Sequence, residues 1–360
     1  MTALDLSGIG WDTGRADEFR PCSEEGLVPG RVARVDRGVC EVLTQAGPAR
    51  ASLGGDLLSR AAADPAAAPV TGDWVALRDW PDGPLTIVRV LSRRTAFRRA
   101  AVSGRAQAQV LAANLDCVLV ADSLAVEPDL GRIERFVALG WESGAQPVLV
   151  LTKADLAPDA DQLAQDVAAA APGVPVLVVS AMTGAGMDGL ARHAGPGRTA
   201  ALIGPSGVGK STLANTMAGT ELLPTRTIRR DGKGRHTTAR RELVVLPGGG
   251  VLIDTPGLRG VGLWDAADGL ERTFTDIEAL AGGCRFSDCA HRTEPGCAVL
   301  AAVRSGELAE RRLHSYRKLL READWIASRS DARLRAERAR AWKVLHRSMR
   351  AARPPRPDPR

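Results

Sequence analysis

No apolar run in this chain approaches the roughly 20 residues that a bilayer-spanning helix needs, so no membrane partner is expected. The opening stretch, Met1-Thr-Ala-Leu-Asp-Leu-Ser-Gly8, has neither a basic flank nor an apolar block, which argues against a secretory signal. Cysteine is sparse. Six in 360 residues do not make a disulfide scaffold, and three of them crowd between Cys284 and Cys297. That crowding favours metal over disulfide, and a reducing cytoplasm over an extracellular setting. Charge is not lopsided enough to name a partner: a net +6 permits nucleic acid without demanding it.

What is present is ordinary in bulk, 44% hydrophobic and 25% charged, and long enough for two or three domains. The distinctive stretch is Gly204-Pro205-Ser206-Gly207-Val208-Gly209-Lys210-Ser211-Thr212. An apolar run, Thr199–Ile203, enters it as a strand, and 211–218 leaves it as a helix that Gly219 can end. Strand, glycine-rich loop and helix make the context of a phosphate loop. Its glycines let backbone N–H groups converge on phosphate oxygens beside the positive end of a helix. Lys210 is expected to reach the outer phosphates, and Ser211 to offer its hydroxyl to Mg²⁺.

Residues 1–28 show mixed charge and little periodicity and are expected to form a loosely held lead-in. Short alternating runs from Pro29, with turn signals at Gly38 and 81–84, predict a β-barrel of the oligonucleotide-binding (OB) type over 29–100. The alanine-rich 60–70 reads as an insertion or loop. Such a barrel serves as an RNA binder or as a structural adaptor. Arg93-Arg-Thr-Ala-Phe-Arg-Arg99 is a solvated linker or a phosphate-contacting strip.

From 107 to 264 the chain alternates apolar runs with helical segments. Strands are expected at 116–121, 147–151, 174–179, 199–203, 243–246 and 250–254, with helices at 132–143 and 160–171. Apolar runs without alternation mean strands buried on both faces, hence a doubly wound, largely parallel sheet. Ligands of such sheets sit at the C-terminal strand ends. There stands Thr152-Lys153-Ala154-Asp155, whose carboxylate can accept from the ring N–H and the exocyclic amine of guanine, a pair that adenine does not offer. The stem of Lys153 suits the face of the base. Ser180-Ala181 places a backbone N–H for the guanine carbonyl. Asp254 suits the water shell of Mg²⁺, and the Gly257 N–H suits a γ-phosphate.

The base-reading motif precedes the phosphate loop, so the chain resembles the circularly permuted GTPases. Beyond it, Cys284, Cys289, His291 and Cys297 offer three thiols and one imidazole, a set expected to close a tetrahedral structural Zn²⁺ site in a helical domain at 265–326. Chance clustering or an iron–sulfur cluster, which the histidine disfavours, are the alternatives. One helix is expected over Gly269–Leu280 and another from Cys297. A basic tail at 327–360 follows. From Arg329 on it carries eleven Lys/Arg against three acids, as a helix on rRNA phosphates or as a solvated extension.

Barrel, permuted order and cysteine spacing together resemble the ribosome small-subunit-dependent GTPase A family, from about Gly30 to Glu322. Further stretches that carry the resemblance are 141–147, Arg235-His236-Thr237-Thr238, Gly257-Leu258-Arg259 and 315–319. It implies a monomeric cytoplasmic enzyme that hydrolyses GTP to GDP, faster on the small ribosomal subunit, and that assists the late maturation of that subunit and its rRNA. It maps the first switch onto 235–238. Ala239 stands where the family continues with a third threonine, so Thr237 or Thr238 is expected to serve Mg²⁺. Leu258 cannot hydrogen-bond a water, which leaves His236 either to orient the nucleophile or to touch RNA. An RNA-binding scaffold with an idle nucleotide site, or a metabolic or signalling GTPase without RNA, are the alternatives.

Overall fold

A computed structural model describes residues 3–81, 83–100, 108–220, 241–254 and 266–330. Against the expectation of a loose lead-in, Thr13–Glu24 forms a helix (α1) capped by Asp12, whose side chain accepts from the Arg15 N–H at 2.9 Å. Phe19 and Cys22 are buried, and Trp11 packs edge-on against both Phe19 and Trp74. The apolar positions are too few to show a period. Tertiary contacts, including a buried Arg15 on Glu18 and Asn114, hold the helix.

Five strands close a barrel in the order β1-β2-β3-β5-β4: β1 (Val28–Asp36), β2 (Val39–Thr44), β3 (Gly47–Leu53), β4 (Trp74–Arg78) and β5 (Leu85–Val90). Alternate residues fill it, among them Val32, Val42, Val75, Leu77 and Ile87. The pair β3–β5 is parallel, so the chain must travel between β3 and β4. It does so through α2 (Gly55–Ala63), a helix over part of the stretch expected to be a loop; its Leu57 joins the barrel core. Arg31 on β1 is wholly buried and donates to Thr199 Oγ1 at 2.7 Å, tying the barrel to the next domain; burial pushes its guanidinium down to about 10.

In the first half of the basic bridge, Arg93 is drawn in from solvent while Arg94 stays exposed in a surface ion pair. Arg93 grips the buried Asp73 at 2.7 Å, and Arg94 grips Asp12. The hairpin β6 (Ala96–Ala100) and β7 (Ala108–Ala113) follows.

A six-stranded sheet then runs β10-β9-β8-β11-β13-β12: β8 (Cys117–Ser123), β9 (Gln146–Thr152), β10 (Val176–Val178), β11 (Thr199–Ile203), β12 (Glu242–Val245) and β13 (Val251–Asp254). All neighbours are parallel except the antiparallel edge pair β12–β13. Every residue of β8 and of β11 is buried, as apolar runs without alternation require. The helices α3 (Leu130–Glu142), α4 (Ala160–Ala170), α5 (Met187–His193) and α6 (Lys210–Ala218) belong to this domain.

Four helices end the described chain: α7 (Ala266–Thr273), α8 (Thr275–Ala281), α9 (Ala298–Ser305) and α10 (Glu310–Ser330). The single helix expected over 269–280 breaks at Phe274, which is fully buried against Tyr316. Packing against α3 is close: a Cβ on Gly269 would stand 2.6 Å from the Ala138 carbonyl. Buried Arg312 spans the seam, bonding Glu134 of α3 at 2.9 Å, Asp276 of α8 at 2.8 Å and two carbonyls. One continuous apolar core joins Trp74, Leu111, Val118, Ile133, Phe274 and Tyr316. Among the described residues no helix is long and apolar enough to cross a membrane.

Candidate functional site

Parallel strands deliver their C-terminal ends to one edge of the sheet. There Ser123 is in register with Thr152, and Leu202, one residue short of the end of β11, with Asp254. The loop leaving β11 runs flush across β8. Gly204 has φ +142°, and a Cβ there would meet the Ala121 carbonyl at 2.2 Å, so only glycine fits. Gly209, at φ +95°, turns the chain into α6 and leaves the first amides of that helix facing out of the turn. Lys210 Nζ donates to the carbonyls of Gly204 (2.9 Å) and Pro205 (2.6 Å), which sets its ammonium within the loop. Ser211 and Thr212 lie half-buried in the first turn.

Thr152, Lys153, Ala154 and Asp155 leave β9 toward this loop. The buried Thr152 hydroxyl lies within donating distance of two carbonyls, Asp122 at the end of β8 (3.1 Å) and Val208 within the loop (2.5 Å). Lys153 takes a left-handed turn, φ 58°, and its ammonium donates to the Gly207 carbonyl at 2.7 Å. Ala154 N–H bonds the Val179 carbonyl at 3.2 Å and so draws the end of β10 alongside. Ser180, reached two residues past β10, donates its hydroxyl to Asp155 Oδ1 at 2.5 Å. The structure thus brings together 152–155, 180–181, 204–212 and Asp254, which are spread over about 100 residues of chain. His236, Thr237, Thr238 and Gly257, with Ala239 and Leu258, lie outside the described residues.

Two contributors are not evident from sequence. Ser180 is expected there to act through backbone only, yet its side chain fixes the carboxylate of Asp155, and its own N–H is committed to the Ala185 carbonyl at 2.9 Å. Asp122 is buried and paired with Arg132 of α3 at 3.1 Å. An acid closing an apolar strand on the ligand edge is the one signal that could have pointed to it.

A second constellation stands in the helical domain. One ligand atom from each of Cys284, Cys289, His291 and Cys297 lies within 4.8 Å of all the others, the only such group of three or more among the described residues. Cys284 Sγ is 3.8 Å from Cys297 Sγ and 3.6 Å from His291 Nδ1, and Cys297 Sγ is 3.4 Å from the same nitrogen. His291 takes a left-handed backbone turn, φ 53°, that brings its ring inward, where it is buried. Burial opposes ionisation of Cys284, but N–H groups of Val299 and Ala298 at the start of α9 draw its thiol below the ordinary value. The group could hold a metal ion with no protein position left open.

The chain matches the model of the RsgA GTPase family over residues 90–264. It is 58% identical to the Small ribosomal subunit biogenesis GTPase RsgA of Streptomyces avermitilis, over 94% of this chain and 91% of the relative. It is 44% identical to the protein of the same name from Opitutus terrae, over 97% and 98%. Among solved structures it resembles YjeQ from Thermotoga maritima, with a TM-score of 0.62, 25% identity, and coverage of 82% of this chain and 98% of that one. YloQ, titled a circularly permuted GTPase, shares the fold with a TM-score of 0.58 at 24% identity, over 82% and 95%.

Proposed function

The chain belongs to the RsgA GTPase family, and on that premise we propose how this GTP hydrolase of small ribosomal subunit biogenesis uses its cleft. The observation that carries the reading is the join between the Thr152–Asp155 turn and the Gly204–Thr212 loop: Thr152 bonds Val208 and Lys153 bonds Gly207. A base held by the first segment has its phosphates over the second.

Asp155, steadied by Ser180, accepts from the guanine ring N–H and the 2-amino group. The Ala181 N–H serves the base carbonyl, since that of Ser180 is already spent. Adenine leaves the carboxylate facing no donor, at roughly 3 kcal/mol. The stem of Lys153 lies along the base. Amides of 204–209 and the head of α6 cradle the phosphates, and the Lys210 ammonium exchanges its loop carbonyls for phosphate oxygens. Ser211 and Thr237 or Thr238 would hold Mg²⁺, with Asp254 reaching it through water, and the ion would supply charge neutralisation at the outer phosphates. The Gly257 N–H serves the γ-phosphate. Leu258 cannot position a water, and His236 takes that role when the subunit brings it inward.

Cys284, Cys289, His291 and Cys297 suit Zn²⁺ in a structural role. Metal–sulfur bonds of about 2.3 Å and a metal–nitrogen bond of about 2.0 Å give tetrahedral edges of about 3.8 Å between sulfurs and about 3.5 Å from sulfur to nitrogen. The three spacings among Cys284, His291 and Cys297 agree with these edges: 3.8 Å between sulfurs, 3.4 and 3.6 Å to nitrogen. The enzyme works as a monomer on the rRNA of the small subunit in the reducing cytoplasm, and hydrolysis releases it.

The test is turnover of GTP and of ATP, each with and without purified small subunits. Stimulated GTP turnover and negligible ATP turnover are expected. Indifference to subunits favours a metabolic GTPase, and RNA binding without turnover favours a scaffold.

A further inference from the structure

We propose that the cleft between α3 and α10 seats a phosphate of the RNA backbone, so that RNA is gripped across the seam between the nucleotide-binding and metal-bearing domains. The class of partner rests on the family reading above; the residues and the place do not follow from it.

The cleft has a volume of about 410 Å³. Arg132 and Arg135 form one wall, from the first turns of α3; Arg311, His314 and Lys318 form the other. Four permanent cations line it with one carboxylate, Asp129, at the α3 cap; acids behind the lining pair with the three arginines and leave Lys318 uncompensated. Positions 311, 314, 318 and 321 recur at helical spacing on one exposed face of α10, while 312, 313, 316 and 319 are buried on the other. The basic row therefore continues past the cleft to Arg321, which suits an extended polyanion better than an isolated small phosphate.

Pairing with acids pins these cations in place and leaves donors over. Arg135 forms a two-pronged pair with Glu322 (2.7 and 3.0 Å), and Arg311 bonds Glu134 at 3.0 Å. Arg132 holds Asp122 at 3.1 Å and Asp129 at 3.5 Å. Each guanidinium has five N–H donors, and a carboxylate uses at most two in a fork. The Arg132 Nε–H is buried with no acceptor among the described residues, the kind of donor that a phosphate oxygen satisfies. Lys318 and His314 have no carboxylate partner among the described residues, and both are exposed. Lys318 supplies a charge that no described carboxylate neutralises, and His314 adds a ring N–H donor beside it.

The experiment uses the full chain with His314→Ala and Lys318→Ala combined. Both positions are exposed and outside the nucleotide cleft, so GTP turnover without subunits stays unchanged. Binding to purified small subunits is measured across salt, with Arg20→Ala on α1 as the charge-matched control. The double variant is expected to bind more weakly, and the slope of log affinity against log salt should shrink by about 0.7–0.9 for each phosphate that is no longer neutralised. The control should match the parent. Parent-like affinity and slope in the double variant overturn the proposal. Weaker binding with an unchanged slope points to a protein surface and also overturns it. Loss of adenosine monophosphate binding with subunit binding intact assigns the cleft to a free ligand instead. Failure of the parent to bind subunits at all removes the family reading, and this proposal with it.

Discussion

Thr152 Oγ1 lies 2.5 Å from the carbonyl oxygen of Val208, a bond between the turn after one strand and the loop after another, 56 residues apart in the chain. Thr152→Val keeps the shape and removes the donor, leaving two buried carbonyls to share nothing. The expected cost is about 1.4 kcal/mol, a tenfold loss of GTP affinity by titration calorimetry, with a parent-like thermal midpoint to within a few degrees.

Asp155→Asn preserves the acceptor that Ser180 uses but presents an amide to a base that needs two acceptors. Affinity for GTP should fall on the order of 100-fold, corresponding to roughly 3 kcal/mol, while weak binding of ATP stays where it was. Competition binding with both nucleotides measures this. Equal losses for the two would remove Asp155 from base recognition.

Arg312→Met leaves Glu134 in a fully buried position with only Arg311 to hold it, and Asp276 with none of its fork. Breaking a buried pair on one side costs about 3–5 kcal/mol, which denaturant titration reads directly. The pH dependence follows as well. Burial pushes the Asp276 carboxyl up, but the Arg312 fork outweighs it and the net shift is downward. A carboxyl lowered in the fold contributes stability that is whole above its unfolded value, near about 3.9. That stability drains away as pH falls toward the folded value. The parent should therefore lose stability through that acid window, and Arg312→Met should flatten this part of the curve.

Cys297→Ser removes one of four clustered candidate ligand atoms and also the sulfur that accepts from Leu300 at the head of α9. The parent should carry one zinc per chain by elemental analysis, released by thiol-blocking reagents. The serine variant should purify with far less metal and melt earlier. Retention of a full complement of zinc would displace Cys297 from the site.

Much of this architecture can be read from local pattern. Thr199–Ile203 is a strand with its bounds as expected, because an apolar run ending in glycine has few other uses. The four candidate metal ligands span only fourteen positions and need no fold to be grouped. What stayed hidden depends on distant contacts. Arg93 and Arg94 look like solvated charge until Asp73 and Asp12 come alongside. Helix α1 has no apolar stripe; its Phe19 packs on Trp11, and Trp74, some sixty residues later, packs on that same ring. Phe274 reads as one more apolar residue of a helix, yet its burial against Tyr316 ends α7 and starts α8. The hydroxyl of Ser180 on Asp155 needed two strands to be neighbours before it meant anything.

Glu134 has a consequence for anyone cutting this molecule apart. It sits on α3 inside the nucleotide-binding domain, yet Arg311 and Arg312 of α10 are what make its burial tolerable. A fragment ending before α7 loses both guanidiniums that face Glu134, and one beginning there keeps the Arg312–Asp276 fork but gives up its bond to α3. The C-terminal helices are therefore a poor graft. Transplanted alone onto another protein, they would arrive without the α3 surface on which Gly269 and Arg312 rest.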